Sequence, residues 1–159
     1  MSWDRRAADM CMRGDIFFVD FGDHGDSHKQ SGIRPAVIVS NNRNNRNSPV
    51  VTVVPLSARV WKKKYLPTHV QIPLNKSVGL DKPSMALAEQ VETLDKTKLG
   101  EKIGEITDSL LMDAITVALQ IQIGVYAEYN WGCRTKKLVR SPVSMQKITA
   151  GLFEIRLFV

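Results

Sequence analysis

Arg34 is the residue in this sequence best placed to do chemistry. It stands in Gly32-Ile33-Arg34-Pro35-Ala36-Val37-Ile38-Val39-Ser40-Asn41. Glycine permits a tight turn, and the apolar, β-branched run after Pro35 reads as a buried strand. Proline cannot donate to a ladder, so Pro35 belongs at the strand's first residue or at an edge, and it restrains the backbone of the residue before it. Arg34 is thus held at a strand mouth, offering a planar fork of donors that fits phosphate or carboxylate. From this stretch alone, a surface arginine forming a salt bridge is the plainer reading. A second cluster is Arg59-Val60-Trp61-Lys62-Lys63-Lys64-Tyr65, where aromatic faces flank a cationic run. Stacking surfaces and positive charge are what single-stranded nucleic acid requires, although an ordinary solvated turn has the same composition.

Other reactive side chains point elsewhere. His24 and His28, with Asp23 and Asp26, have no standard metal-ligand spacing and read as a solvated loop. Cys11 and Cys133 are far apart and form no metal motif, so two reduced thiols are expected. His69 alternates along a strand and reads as structural or rim-exposed. No cofactor motif and no metal site is expected.

The elements that must position these groups follow from apolar periodicity. Met1–Met12 is a leader without clear periodicity. Ile16–Phe21 is a first strand, Gly22–Gly32 a polar mobile loop, and Arg34–Ser40 a second strand. Asn41–Pro49 reads as an asparagine-rich loop. Val50–Leu56 is a third strand, buried on both faces, with Ser57 at its exit. Thr68–Ile72 alternates as a half-exposed strand, and Ser84–Val91 is a short core strand. Asp95–Leu99 is a short helical turn. Thr107-Asp108 caps a longer helix, with Leu111, Ile115 and Leu119 on one row and Leu110, Ala114, Ala118 and Gln122 on the next. Strands followed by a closing helix give an α+β domain built on a small antiparallel barrel or curled sheet.

At 159 residues the chain has room for one domain with a real core, and no apolar run approaches the roughly 20 residues of a membrane span. The leader mixes charges of both signs, unlike a secretory signal, so a cytoplasmic protein is expected. The net charge of +6 is uneven: Asn130–Val159 carries +5 and the rest +1. The basic character belongs mostly to the tail and does not by itself mark the core as a nucleic-acid binder. The expected division is a leader at 1–12, a domain at 13–129 and a basic extension at 130–159.

Five blocks occur in one order: Arg13-Gly14-Asp15-Ile16, Gly32–Asn41, Val53-Val54-Pro55-Leu56-Ser57, Leu66-Pro67-Thr68-His69-Val70, and Ala88-Glu89-Gln90-Val91-Glu92-Thr93-Leu94-Asp95-Lys96. Together they resemble the MazF/PemK family of toxin ribonucleases, over roughly Met12 to Tyr129. The resemblance implies a dimeric SH3-like β-barrel, PemK/CcdB-like, with a C-terminal helix on the sheet. It implies metal-independent cleavage of single-stranded RNA by 2′-hydroxyl attack, leaving 2′,3′-cyclic phosphate and 5′-hydroxyl ends. It also implies inhibition by an antitoxin whose acidic, flexible C-terminal segment (MazE-like) covers the toxin, with DNA bound only through that complex.

By the same resemblance Arg34 acts at the scissile phosphate, where a fixed cation stabilises charge that grows in the transition state. Ser57 takes the place of the family's second position, a threonine, and keeps its hydroxyl. Several relatives carry an acid before the glutamine of the first loop; here Lys29 precedes Gln30. Lys29 and Gln30 are then candidate RNA contacts with Trp61, Lys62, Lys63, Lys64 and Tyr65, while His28, Ser57 or solvent are the candidate proton acceptors. The Arg34 mouth, Gly22–Gly32 and Arg59–Lys64 are expected on one surface near a dimer interface. A different class remains open: a CcdB-like binding toxin that poisons gyrase, or a non-catalytic RNA-binding SH3-like module, since fold alone does not separate them.

Overall fold

The computed structural model describes residues 10–58, 66–74 and 78–125. The cationic turn Arg59–Tyr65, the start of the leader, Cys133 and the basic extension lie outside the described residues. Among the described residues, seven strands and two α-helices occur in the order β1 (Asp15–Asp20), β2 (Ile33–Ile38), α1 (Asn42–Asn47), β3 (Val50–Ser57), β4 (His69–Ile72), β5 (Ser84–Leu87), β6 (Glu92–Asp95), β7 (Leu99–Glu105) and α2 (Ser109–Gln122). All pairings are antiparallel, in the order β4-β5-β3-β2-β1-β7, with β6 also on β3. The α+β expectation is met. The sheet is curled but open, because the path ends at β4 and β7 without joining them among the described residues.

β3 is the hub. One edge pairs with β2; the other pairs with β6 along Val50–Val53 and with β5 at Leu56 and Ser57. Successive side chains of a strand point to opposite faces, so β2 and β3 feed two cores at once. Phe17, Val19, Ala36, Ile38, Val51, Val53 and Leu99 pack on one face with Cys11, which the leader contributes. Ile16, Val37, Val54, Leu56, Ile72 and Ala86 pack on the other, beneath Ile115 of α2. Irregular register on either side of Phe17 between β1 and β7 adds twist, the usual effect of bulges.

Several expectations need correction. Asn41–Pro49 is not an irregular loop, since Asn42–Asn47 forms α1. The Asn41 side chain accepts from the Asn44 amide at 2.9 Å as an N-cap. Asn45 is fully buried, and its side chain bonds Ser40 Oγ (2.6 Å) and the Ser40 carbonyl (3.1 Å). This helix is held by amide hydrogen bonds rather than an apolar stripe, so periodicity could not reveal it. β3 is less buried than expected, with Val50 exposed and Thr52 half-buried. β5 stops at Leu87, and Ala88–Gln90 turns as a single 3-10 helix. On α2 the row Leu111, Ile115, Leu119 packs inward, whereas in the next row only Ala118 does and Leu110 is 76% exposed.

Pro35 is neither first in β2 nor on an edge strand. The Phe21 amide bonds the Gly32 carbonyl at 3.1 Å, and hydrogen-bonded pairs alternate along an antiparallel ladder. Val19–Arg34 and Phe17–Ala36 are therefore the bonded pairs with β1, and the nitrogen of Pro35 faces β3. The β2–β3 ladder covers only Ala36–Ile38, so the missing donor falls where that ladder has ended.

Arg13 and Asp15 fasten the scaffold. The Arg13 guanidinium bonds the Val39 carbonyl and, at 2.8 Å, Thr116 Oγ1 of α2. Buried Asp15 accepts from the Met12 amide at 2.8 Å and pairs with Lys102 Nζ at 2.8 Å. Partial burial opposes the charge on Lys102, but the Asp15 hydrogen bond and charge, helped by Glu105, outweigh it and raise its pKa.

Gly79 is sterically required. Its φ is +66°, and a Cβ there would stand 1.6 Å from the Ile103 carbonyl oxygen. Gly79→Ala should cost more than about 1 kcal/mol of stability, the threshold for a residue forced into an incompatible backbone. A denaturant midpoint equal to the parent's would refute this close approach.

Candidate active site

In the β2–β3 ladder Ala36 pairs with Pro55, Val37 with Val54 and Ile38 with Val53, and Arg34 and Ser57 each lie two residues beyond the Ala36–Pro55 pair, at the end where this ladder stops. Alternation puts both on the face away from α2, at the margin of the core formed by Phe17, Ala36 and Val53. Both are half-buried. Arg34 Nε donates to the Ser31 carbonyl at 2.7 Å, which fixes the guanidinium plane. Its two terminal nitrogens have no hydrogen-bond partner among the described residues. A guanidinium offers a planar fork of donors that fits phosphate or carboxylate oxygens.

The loop Gly22–Gly32 is closed at its base by the Phe21 amide on the Gly32 carbonyl (3.1 Å) and the Gly32 amide on the Gly22 carbonyl (2.7 Å). It reaches across to the segment after β5. The Gln30 amide donates to Gln90 Oε1 at 3.3 Å, and Gln90 Nε2 donates to the His28 carbonyl at 3.4 Å. Lys29 Nζ lies 3.9 Å from Glu92 Oε2, a largely exposed pair of little energetic weight. Between loop and segment is a cavity of about 420 Å³, bordered by His28, Lys29, Glu89, Gln90 and Glu92. Loop residue Ser31 holds Arg34, and its neighbour Gln30 meets Gln90, so cavity and guanidinium share one support.

Sequence reasoning passed over Glu89, Gln90 and the use of His69. Met85 pairs with Ser57 and Gln71, and Leu87 pairs with His69. His69 is therefore on the same face as Ser57. The turn Ala88–Gln90 carries Glu89 back over it, and His69 Nε2 lies 2.6 Å from Glu89 Oε1, with the His69 side chain only 6% exposed. The signal was available as an alternating histidine and an acid just past a buried strand, but nothing in periodicity says that they meet. His28 and Lys29 border the cavity, whereas Gln30 meets Gln90 through its backbone amide. Trp61, Lys62, Lys63, Lys64 and Tyr65 lie outside the described residues. Among the described residues no three His, Cys, Asp or Glu side chains converge on a metal position.

An open antiparallel sheet with a helix packed on one face defines the α+β class of this protein. Comparison narrows the class. Residues 12–123 match the family model described as PemK-like, MazF-like toxin of type II toxin–antitoxin system. A curated Endoribonuclease MazF from Staphylococcus saprophyticus is 39% identical over 117 residues, which span 74% of this chain and 94% of that protein. Two solved structures from mycobacterial species align over 72% of this chain. One is an endoribonuclease at 28% identity and TM-score 0.57, covering 92% of that chain; the other is an endoribonuclease in complex with its cognate antitoxin, at 30% identity and TM-score 0.55, covering 94%. The chain belongs to the MazF/PemK family of type II toxins.

The loop's attachment can be tested locally. Gln90→Leu removes both of its side-chain bonds to the loop. Both are long, so global stability should fall by no more than about 1 kcal/mol, while hydrogen exchange at the Gln30 amide accelerates. Unchanged exchange at Gln30 would show that Gln90 does not hold the loop.

Proposed function

We propose that this chain is the ribonuclease component of a toxin–antitoxin pair and cuts single-stranded RNA at short sequences, thereby stopping translation. The observation that carries this reading is Arg34, its Nε held by the Ser31 carbonyl where the β2–β3 ladder stops, with Ser57 at the end of β3 two residues past that ladder. When a ribose 2′-hydroxyl attacks the adjacent phosphorus, negative charge accumulates on the phosphoryl oxygens. A guanidinium held in place stabilises that charge more than the ground state. Ser57 donates to the same phosphate or orients the 2′-oxygen. The phosphorus–O5′ bond breaks, leaving a 2′,3′-cyclic phosphate and a 5′-hydroxyl. His28, on the loop beside this mouth, is of the side-chain type that accepts and returns protons near neutral pH. No step requires a metal ligand set.

Lys29 and Gln30 contact the RNA strand from the loop, and Trp61, Lys62, Lys63, Lys64 and Tyr65 extend the track with stacking faces and cations. The scaffold is an SH3-like barrel left open between β4 and β7. The protein acts as a homodimer in the cytoplasm, and Leu110 and Val117, both exposed on α2, offer apolar surface to a second copy. An acidic, flexible antitoxin segment competes with RNA for the same donors. The match to a toxin family, and the similarity to an endoribonuclease bound to its antitoxin, favour this reading over a gyrase poison.

Arg34→Ala should reduce cleavage of a mixed RNA pool in EDTA by about 100-fold or more, the scale of losing one charge-stabilising donor. Parent-like cleavage by folded Arg34→Ala, or parental turnover that needs added magnesium or zinc, would reject the mechanism. Ser57→Thr should keep the rate and Ser57→Ala should lower it. Equal rates for Ser57→Ala and the parent would reduce Ser57 to a strand-end residue.

A further inference from the structure

The peptide plane between Ser31 and Gly32 is pinned on both edges. Its carbonyl oxygen accepts from Arg34 Nε at 2.7 Å, and its N–H, on Gly32, donates to the Gly22 carbonyl at 2.7 Å. A peptide unit is planar and trans, so its carbonyl and its N–H point in opposite directions and turn together. The Gly22 carbonyl therefore helps to decide where the Ser31 carbonyl points. Gly22 is itself held, since its amide donates to Asp20 Oδ1 at 2.9 Å. The neighbouring Phe21 amide donates to the Gly32 carbonyl at 3.1 Å. Two residues, Phe21 and Gly22, thus oppose the single residue Gly32. That is the count of a β-bulge, a feature that re-aims the side chains beside it.

The rotation that orients this plane against β2 is φ of Gly32, which is +72°. Asparagine tolerates that left-handed angle, whereas β-branched residues reject it. A Cβ at Gly32 would meet nothing within 4 Å among the described residues. Space does not demand glycine here, as it does at Gly79; the backbone angle does. We propose that Gly32 is a positioning residue for Arg34. Its left-handed backbone aims the Ser31 carbonyl at Nε, and the terminal nitrogens become the edge offered to phosphate. An arginine side chain has many rotamers, and a guanidinium oriented before the substrate arrives has less freedom to lose in the transition state. With a negative φ at Gly32 the plane swings round and the carbonyl leaves Nε. Arg34 then keeps its charge and loses its aim. This inference deepens the ribonuclease reading above and rests on it.

The test replaces Gly32 by asparagine, alanine and valine, checks each fold by its unfolding midpoint, and measures kcat and KM on an RNA with one cleavage site. The kcat should fall in that order, by about 10- to 100-fold for Gly32→Val with KM little changed, as for a misaimed transition-state contact. Gly32→Asn should recover most of the rate. In an Arg34→Ala background Gly32→Val should cost nothing further, because it acts through Arg34 alone. Hydrogen exchange at the Arg34 Nε–H, read by NMR without RNA, should be slow in the parent and in Gly32→Asn and faster in Gly32→Val. If the valine variant does not fold, alanine against asparagine carries the same comparisons. A parental kcat in Gly32→Val would overturn the proposal. So would an asparagine variant as slow as valine, an equal loss with and without Arg34, or Nε–H exchange that ignores the substitution. A parent that cuts no RNA, whatever its Nε–H exchange, would overturn the ribonuclease reading and this inference with it.

Discussion

The ladder between β2 and β3 is the constraint on which the rest depends. Its register, Ala36 with Pro55 through Ile38 with Val53, decides that Arg34 and Ser57 share one face of the sheet. A slip of one residue would move every side chain of a strand to the other face. Here that would put Arg34 under α2, among Val37, Val54 and Ile115. The same alternation that buries Ala36 and Val53 on one side and Val37 and Val54 on the other therefore sets the functional face. Packing energy spread over two cores fixes the position of two polar side chains. That is a robust way to hold a site, because no single contact carries it.

A second layer rests on the first. β3 is long enough to pair with β5 at one end and β6 at the other, and the turn Ala88–Gln90 fills the gap between them. That turn lifts Glu89 and Gln90 out of the sheet. Glu89 meets His69, and Gln90 meets the loop that also carries Ser31 and so Arg34. The loop has little apolar material of its own and borrows its position from these polar contacts. Such segments open at low cost.

Much of this was legible in the chain and some was not. Strands β1, β2 and β3 announce themselves by β-branched runs, and α2 by Leu111, Ile115 and Leu119. Arg34 stood out because proline and glycine bracket it. α1 was invisible because its order comes from the Asn41 cap and the buried amide of Asn45, not from an apolar stripe. β6 and β7 were missed for a related reason: Glu92-Thr93-Leu94-Asp95 and Leu99–Glu105 carry few apolar residues and are stabilised by their neighbours. The His69–Glu89 pair joins residues 20 apart through two strands and a turn, and no local pattern encodes such a meeting.

The chemistry proposed for the face that carries Arg34 and Ser57 is attack by the RNA's own 2′-hydroxyl. The most direct measurement uses a synthetic RNA containing one cleavage site, compared with the same RNA carrying a single 2′-deoxyribose on the 5′ side of the scissile phosphate. The first should be cleaved, with a cyclic phosphate at the new 3′ end, and the second should stay intact at that position. Equal cutting of both, with a 5′-phosphate on the downstream fragment, would contradict it.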